Sequence, residues 1–213
     1  MRHLFCLLLM FAVVPVAGAI EVKSPGPEWT EANRKDSFVI FTKDDKAAGV
    51  RAIVAITEVD APPATVFEVV GDFDHYAEYM PYVKNSRVVE KKDGVLVVYS
   101  LLSPPLVDNR DYYIEVRRTH GDQNGGVFKS AWTSVPDYKP EADGVIRVKL
   151  NTGSWVIEPL DGGKRSRVTY NLLTHPGGSI PRWLANKSNT VAIPDLFEAV
   201  SKRAAKIRKP DAR

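Results

Sequence analysis

The sequence is almost free of cysteine. Among its 213 residues the only one is Cys6, so the chain forms neither an internal disulfide nor a thiolate metal site. Its four histidines, at positions 3, 75, 120 and 175, follow no metal-ligand spacing. The sequence also lacks a nucleophile elbow, a phosphate loop and a dinucleotide fingerprint. We therefore predict no metal and no cofactor.

Long apolar runs are equally scarce. The longest, residues 4–14, follows Arg2 and His3 and precedes small residues at positions 17–19. It is shorter than the roughly 20 apolar residues that a membrane-spanning helix needs. The pattern instead predicts a secretory signal peptide of residues 1–19, cut before Ile20. We therefore expect a periplasmic or secreted protein, with residues 20–27 as a leader and residues 28–209 as one domain.

The chain carries little net charge, because its 29 Lys and Arg residues nearly balance its 26 Asp and Glu residues. The basic excess gathers at the end of the chain, at Lys202, Arg203, Lys206, Arg208, Lys209 and Arg213. Cations there suit the C-terminal end of a helix, and attraction to anionic lipid headgroups is the alternative. No basic stripe interleaved with aromatic residues occurs elsewhere, so we predict no nucleic-acid partner.

Alternating apolar and polar residues predict strands through most of the remaining chain. The segments are 38–42, 50–59, 83–91, 95–103, 110–120, 127–135, 145–159 and 165–174. Turns rich in Gly, Asp and Asn join them, which favours an antiparallel meander. Helical spacing after Pro63 predicts a helix, residues 72–80 a second short one, and residues 28–35 another.

The last segment predicts a long amphipathic helix. Ile193, Leu196, Phe197, Val200, Ala204 and Ile207 recur at helical spacing and give one apolar face. Ser179 is placed to cap the start of this helix, with Pro181 in the first turn. Because Pro194 lacks an amide donor, we expect a kink or a break near residues 190–193.

Three segments carry a resemblance to a known family. They are residues 63–70 through 79–81, residues 104–112, and residues 153–159 through Tyr170 to the Pro-Gly-Gly-Ser-Ile-Pro-Arg-Trp-Leu-Ala-Asn run at 176–186. In these segments the chain resembles the steroidogenic acute regulatory protein-related lipid-transfer (START) domains of the helix-grip superfamily. The resemblance implies an α+β fold, in which a curved antiparallel sheet wraps around a long C-terminal helix and leaves a hydrophobic tunnel.

The ligand-binding residues expected from this fold and from strand alternation lie on the concave face and on the final helix. Arg110 is the expected polar anchor for a lipid hydroxyl, carboxylate or phosphate; the alternative is a rim arginine paired with Asp108 or Asp111. The predicted ligand-binding residues are Arg110, Tyr112, Ile114, Phe128, Trp132, Trp155, Tyr170, Leu172, Leu196 and Val200. The predicted gate residues are Leu106, Val107 and Trp183.

The sequence thus predicts a monomer that binds a lipid, either sterol-like, phospholipid or fatty acyl, or another apolar small molecule. We expect it to carry or store this ligand in the periplasm, with transient membrane contact. Two other functions share the fold, an enzyme of cyclase or hydrolase type and a lipid-sensing interaction module. For an enzyme the candidate groups are Asp72, Asp74, His75, His120 and His175. Acids beside a helix start are more often caps than catalysts, so we predict a protein that is not an enzyme.

Overall fold

The computed structural model describes residues 20, 22–105, 107–121, 126–180 and 182–207, with the backbone alone for residues 182–191. Its described part forms a ten-stranded sheet, three α-helices and two 3-10 turns. The strands are β1 (Thr30–Lys35), β2 (Phe38–Asp45), β3 (Val50–Val59), β4 (Val83–Lys92), β5 (Val95–Leu102), β6 (Arg110–Thr119), β7 (Phe128–Ser134), β8 (Ile146–Arg147), β9 (Leu150–Leu160) and β10 (Arg165–His175). The helices are α1 (Pro63–Val69), α2 (Tyr76–Tyr79) and α3 (Arg182–Ile207), and the 3-10 turns are Phe73–His75 and Asp161–Gly163.

The strand order is β1-β2-β3-β10-β9-β7-β6-β5-β4, and every neighbouring pair along this path is antiparallel. The first three strands join the meander through β3 and β10, which pair from Ser166 opposite Val59 to Leu172 opposite Ile53. The sheet's concave face packs against α1, α2 and α3, and this layer holds the main core. The prediction of a curved antiparallel sheet gripping a C-terminal helix is confirmed.

The predicted helix over residues 28–35 is wrong, because Thr30–Lys35 forms edge strand β1. All six of its residues are exposed, so no apolar face marks it as either element. A two-residue turn at Asp36 and Ser37 brings it against β2, and backbone pairing with β2 decides its structure. Local sequence pattern carries no information on that pairing.

The single strand predicted over residues 145–159 is divided in two. Strand β7 pairs with β6 only from Thr119 back to Ile114, so the start of β6 lacks that neighbour. Strand β8 fills the place and pairs parallel with Arg110 and Asp111. The prediction of purely antiparallel strands therefore fails at this one pair, which lies beside the cavity described below.

Helix α3 is continuous through Pro194, so the break expected near residues 190–193 does not occur. The proline removes one backbone donor, yet Ile193 and Phe197 on either side are buried in the core. Their burial holds this turn of the helix in place. In the part of the chain that the structure describes, no helix combines the length and apolar character needed to cross a bilayer.

The convex face has a small core of its own. It consists of four buried residues that alternate with concave-face residues of the same strands: Val39, Phe41, Val54 and Ile56. Val22 and Trp29 cover this cluster. The segment before β1 is therefore packed against the domain.

Candidate functional site

A cavity of about 520 Å³ lies between the concave face of the sheet and α3. Apolar and aromatic side chains make up most of its wall, and its described lining contains no carboxylate and no imidazole. The lining residues are Phe73, Tyr76, Met80, Pro81, Tyr82, Val83, Leu102, Pro104, Pro105, Val107, Arg110, Tyr112, Ile114, Val116, Ser130, Trp132, Val148, Asn151, Trp155, Tyr170, Leu172, Thr174, Pro176, Ile180, Ala192, Ile193 and Leu196.

Most of the predicted site residues come together in this wall. Strand alternation places them there, because residues two apart on a strand face the same side of the sheet. Those that line the cavity are Arg110, Tyr112, Ile114, Trp132, Trp155, Tyr170, Leu172 and Leu196, together with gate residue Val107. Their placement fits a binding site, and their role in binding stays a prediction.

Two predicted ligand-binding residues lie outside the cavity. Phe128 packs against Phe67 of α1, with ring centroids 5.1 Å apart. Val200 is 1% exposed and belongs to the packed core under α3. Both residues face the concave side of the sheet or pack under α3 as predicted, but side chains of the helices and the sheet fill the space around them. Leu106 and the Trp183 side chain lie outside the described residues.

Sequence reasoning missed several lining residues, of which Asn151 and Ser130 are polar and buried. Asn151 lies four positions before Trp155 on β9 and therefore shares its face. Alternation from Trp155 could have found it. Ser130 lies between Phe128 and Trp132 on the concave face of β7 and could have been found in the same way.

Three aromatic rings form the floor of the cavity. The Tyr170 ring lies 4.4 Å from the Trp155 ring and 5.8 Å from the Trp132 ring, between centroids. Gly153 makes this stack fit, since a Cβ there would lie 2.5 Å from Cζ2 of Trp132 and 2.2 Å from the carbonyl oxygen of Asn171. Burial raises the pKa of the Tyr170 phenol, so its hydroxyl stays protonated and able to donate.

Arg110 begins β6 at the mouth of the cavity and is only 4% exposed. Its Nε donates to the carbonyl oxygen of Pro176 at 3.0 Å, and an Nη donates to the backbone carbonyl of Asp108. Burial lowers the pKa of this guanidinium, with the nearby Asp108 charge acting in the opposite direction. Arg110 is therefore buried, and of the two acids considered for it, Asp108 lies near enough to act on its charge.

Asp111, the other acid considered for Arg110, points to the opposite face of β6. Its carboxylate binds Arg147 of β8, with Nε–Oδ1 2.7 Å and Nη2–Oδ2 3.1 Å. The two side chains are 3% and 1% exposed. Arg147 also donates to the carbonyl oxygens of Pro136, Lys139 and Pro140. This pair anchors the β7–β8 connection to the sheet.

Trp132 and Asn151 form a second polar contact at the cavity wall. The indole Nε1 of Trp132 donates to Oδ1 of Asn151 at 3.0 Å. Because an indole is only a donor, Oδ1 is the acceptor and the amide nitrogen faces away from the indole. Asn151 is 8% exposed, so its amide is held in one orientation within the protein.

The residues considered as acid–base candidates lie elsewhere. Nδ1 of His75 is 2.5 Å from Oδ1 of Asp72, and this contact raises the histidine pKa. Arg203 of α3 reaches Oδ2 of Asp72 and Oε2 of Glu78, both at 3.2 Å. These charges connect α3 to the segment around α2. They are not among the described lining residues.

The remaining candidates are also outside the cavity lining. His120 packs edge-on against Phe67, with ring centroids 4.9 Å apart. Asp74 accepts the backbone N–H of Val88 at 2.8 Å, and His175 Nδ1 accepts that of Gly177 at 3.1 Å. These three side chains therefore contact other parts of the domain and are not among the described lining residues.

Comparison with known proteins agrees with this geometry. The sequence model of a family described as polyketide cyclase / dehydrase and lipid transport matches residues 59–201. The phosphatidylcholine transfer protein of Rattus norvegicus is 30% identical over 190 residues, covering 86% of this chain and 87% of the relative. An uncharacterized protein of Pseudomonas aeruginosa is 29% identical over 180 residues, covering 84% of this chain and 86% of the relative.

Solved structures share the fold. The STAR-related lipid transfer protein of Xanthomonas axonopodis superposes with a TM-score of 0.75 at 24% identity, over 84% of this chain and 99% of that one. Human STARD10 gives a TM-score of 0.75 at 19% identity, over 91% of this chain and 85% of that one. With the family match spanning most of the described domain, the chain belongs to the START-related branch of the polyketide cyclase / dehydrase and lipid transport family.

Proposed function

We propose that this protein binds one lipid in the cavity under α3 and carries it between membranes through an aqueous compartment. The observation that carries the proposal is the cavity itself, a space of about 520 Å³ with apolar and aromatic walls. Pockets of roughly 300–1,000 Å³ with apolar walls and a few placed polar groups are typical of small-molecule sites. The transfer function of a relative at 30% identity supports carriage.

Carriage needs a way in and out of the cavity, and the described structure offers a candidate. Pro104, Pro105 and Val107 lie in the β5–β6 connection and line the cavity. Pro176 and Ile180, in the connection between β10 and α3, also line it. Loops opening on a rigid scaffold commonly control access. We propose that this end contacts the membrane briefly while the lipid exchanges.

We further propose that the carrier is a monomer and works in the periplasm or after secretion. The apolar run and small residues that precede Ile20 support export. Mass photometry and fractionation of cells expressing the full chain would test both points. A cytoplasmic, uncleaved chain would contradict export without bearing on lipid binding.

The test of binding starts with protein purified from its own host. Native mass spectrometry, followed by organic extraction, should show one lipid per chain. The purified protein should then speed lipid transfer between donor and acceptor vesicles. A protein that carries nothing, and that takes up nothing from a total lipid extract, would contradict the proposal.

A matched pair of variants ties that binding to the cavity. Ala192 lines the cavity on α3, so Ala192→Phe places a ring in the space proposed for the lipid. Ala205 is exposed on the same helix, so Ala205→Phe makes the same change outside it. We expect loss of bound lipid and of transfer with the first variant alone. Equal retention by both would show that the lipid lies elsewhere.

A further inference from the structure

The cavity wall contains a buried cation that forms no direct ion pair with a described acid, although the nearby Asp108 charge favours its charged form. Arg110 is 4% exposed, and both of its hydrogen bonds end on backbone carbonyl oxygens. The Asp111 carboxylate is bound to Arg147 on the neighbouring strand β8, and no described acid forms an ion pair with Arg110. Buried charges in proteins are normally paired, because an unpaired one loses its hydration without compensation.

The guanidinium also has donors to spare. It carries five N–H hydrogens, of which the bonds to Pro176 and Asp108 use two. No other described residue accepts from it. A hydrogen bond to a charged group contributes more than one between neutral groups, so an acceptor inside the cavity would gain from these donors. The geometry thus leaves room for an acceptor from outside the chain.

A second donor lies at the same end of the sheet. Trp132 fixes Oδ1 of Asn151 as an acceptor, so both hydrogens of the amide nitrogen are left as donors. No described residue accepts them, and Asn151 lines the cavity. The described lining here therefore offers N–H donors and contains no carboxylate, while the nearby Asp108 is not part of it.

Both donors line the same cavity, on different strands of one sheet. Asn151 of β9 contacts Ser134, which pairs with Ile114, so it lies four residues along β6 from Arg110. Asn151 also pairs with Thr174 on β10, and Pro176, which accepts from Arg110, follows two residues later. The two side chains thus line neighbouring parts of one cavity wall.

We propose, on the basis of the lipid-binding function above, that the cavity selects lipids with an acidic headgroup, whose anionic oxygens accept from Arg110 and Asn151. The shared chemistry is an anion on an apolar tail, either a carboxylate or a phosphate. Arg110 supplies the counter-charge, and Asn151 is a specificity-determining residue that Trp132 holds in orientation.

The test compares ligands that differ only at the head. Palmitic acid, palmityl phosphate, palmityl alcohol and methyl palmitate are titrated against delipidated protein near neutral pH by calorimetry. We expect one or both acids to bind about 10-fold to 100-fold more tightly than the alcohol and the ester. The acid that binds more tightly identifies carboxylate or phosphate as the natural headgroup.

Variants then assign the preference to its residues. Arg110→Met should bring acid and alcohol within about 3-fold of one another, because it weakens binding of the charged head far more than that of the hydroxyl. Arg110→Lys keeps the charge with fewer donors and should retain part of the preference. Arg117, exposed on the opposite face of β6, provides the control, because Arg117→Met should leave the preference intact.

A substitution of Asn151 alone would leave the indole N–H of Trp132 without its acceptor, so Asn151 is tested in a variant that lacks this N–H. Trp132→Phe removes the N–H that Asn151 accepts, so Asn151→Leu is added to that variant and compared with it. We expect the second change to weaken acid binding about 3-fold to 10-fold and alcohol binding by less. Near-UV circular dichroism checks that each variant is folded.

Two results would overturn the proposal. One is equal binding of acid and alcohol by the unaltered protein, a comparison that needs no variant to fold. The other is an acid preference that survives Arg110→Met in a folded protein. Failure of all four ligands and of a total lipid extract would instead count against lipid binding itself, so the two proposals fail in different ways.

Discussion

Replacing Arg147 by methionine would leave the Asp111 carboxylate inside the protein without a counter-charge. The pair is 1% and 3% exposed and is joined by two hydrogen bonds of 2.7 and 3.1 Å. The same guanidinium donates to carbonyl oxygens of Pro136, Lys139 and Pro140. All of these contacts are lost at once, because methionine has no donor.

Breaking a buried ion pair from one side costs about 3–5 kcal/mol. We therefore expect Arg147→Met to lower the free energy of unfolding by about that amount. For a domain of this size each kcal/mol shifts the melting temperature by about 2–4 °C, so melting should fall by about 6–20 °C. Urea unfolding near neutral pH, followed by tryptophan fluorescence, measures the free energy directly.

The control and the compensating variant sharpen this test. Arg117→Met removes an exposed cation from β6, the strand of Asp111, and should cost less than about 0.5 kcal/mol. Adding Asp111→Leu to Arg147→Met removes the stranded charge and should restore part of the lost stability. A loss below about 1 kcal/mol for Arg147→Met, with an unchanged slope against urea, would refute the reasoning.

Three further outcomes are expected. The pKa of His75 should exceed its ordinary value, and Asp72→Asn should lower it, as read by NMR titration. Because the folded pKa is raised, the stability that this contact contributes is present at low pH and is lost as pH rises through the folded pKa. Gly153→Ala should destabilise by about 1–3 kcal/mol and shift the fluorescence of Trp132, which the new methyl group would displace. Arg203→Met should cost less than about 1 kcal/mol in urea unfolding, because its ion pairs are partly exposed.

Sequence patterns predicted the meander because its signals are local. The Asp93-Gly94 turn between β4 and β5 takes positive φ at both residues, 50° and 75°, as such a two-residue hairpin requires. Alternation then assigned Tyr112 and Ile114 to one face of β6. Each of these inferences needs only residues close together in the chain.

The parts that failed depend on distant partners. Strand β1 has no buried residue and is a strand only because β2 lies beside it. Strand β8 exists because β7 leaves Arg110 unpaired on that side. Phe128 was assigned to the cavity because its face was known, whereas the packing of Phe67 over it was not. Strand alternation predicts on which face of the sheet a side chain lies. Whether that side chain borders a cavity depends on how distant parts of the chain pack against that face.

The two donors in the cavity wall belong to strands, while other lining residues lie in loops. Arg110 and Asn151 are fixed by sheet pairing, whereas Pro105 and Val107 lie in the β5–β6 connection. Insertions and substitutions are tolerated in such connections far more readily than in paired strands. The dwell time of the proposed cargo can therefore change over evolution, or by design, while its chemical identity is preserved. For such a carrier, headgroup selection and exchange rate would be adjusted by different parts of the chain.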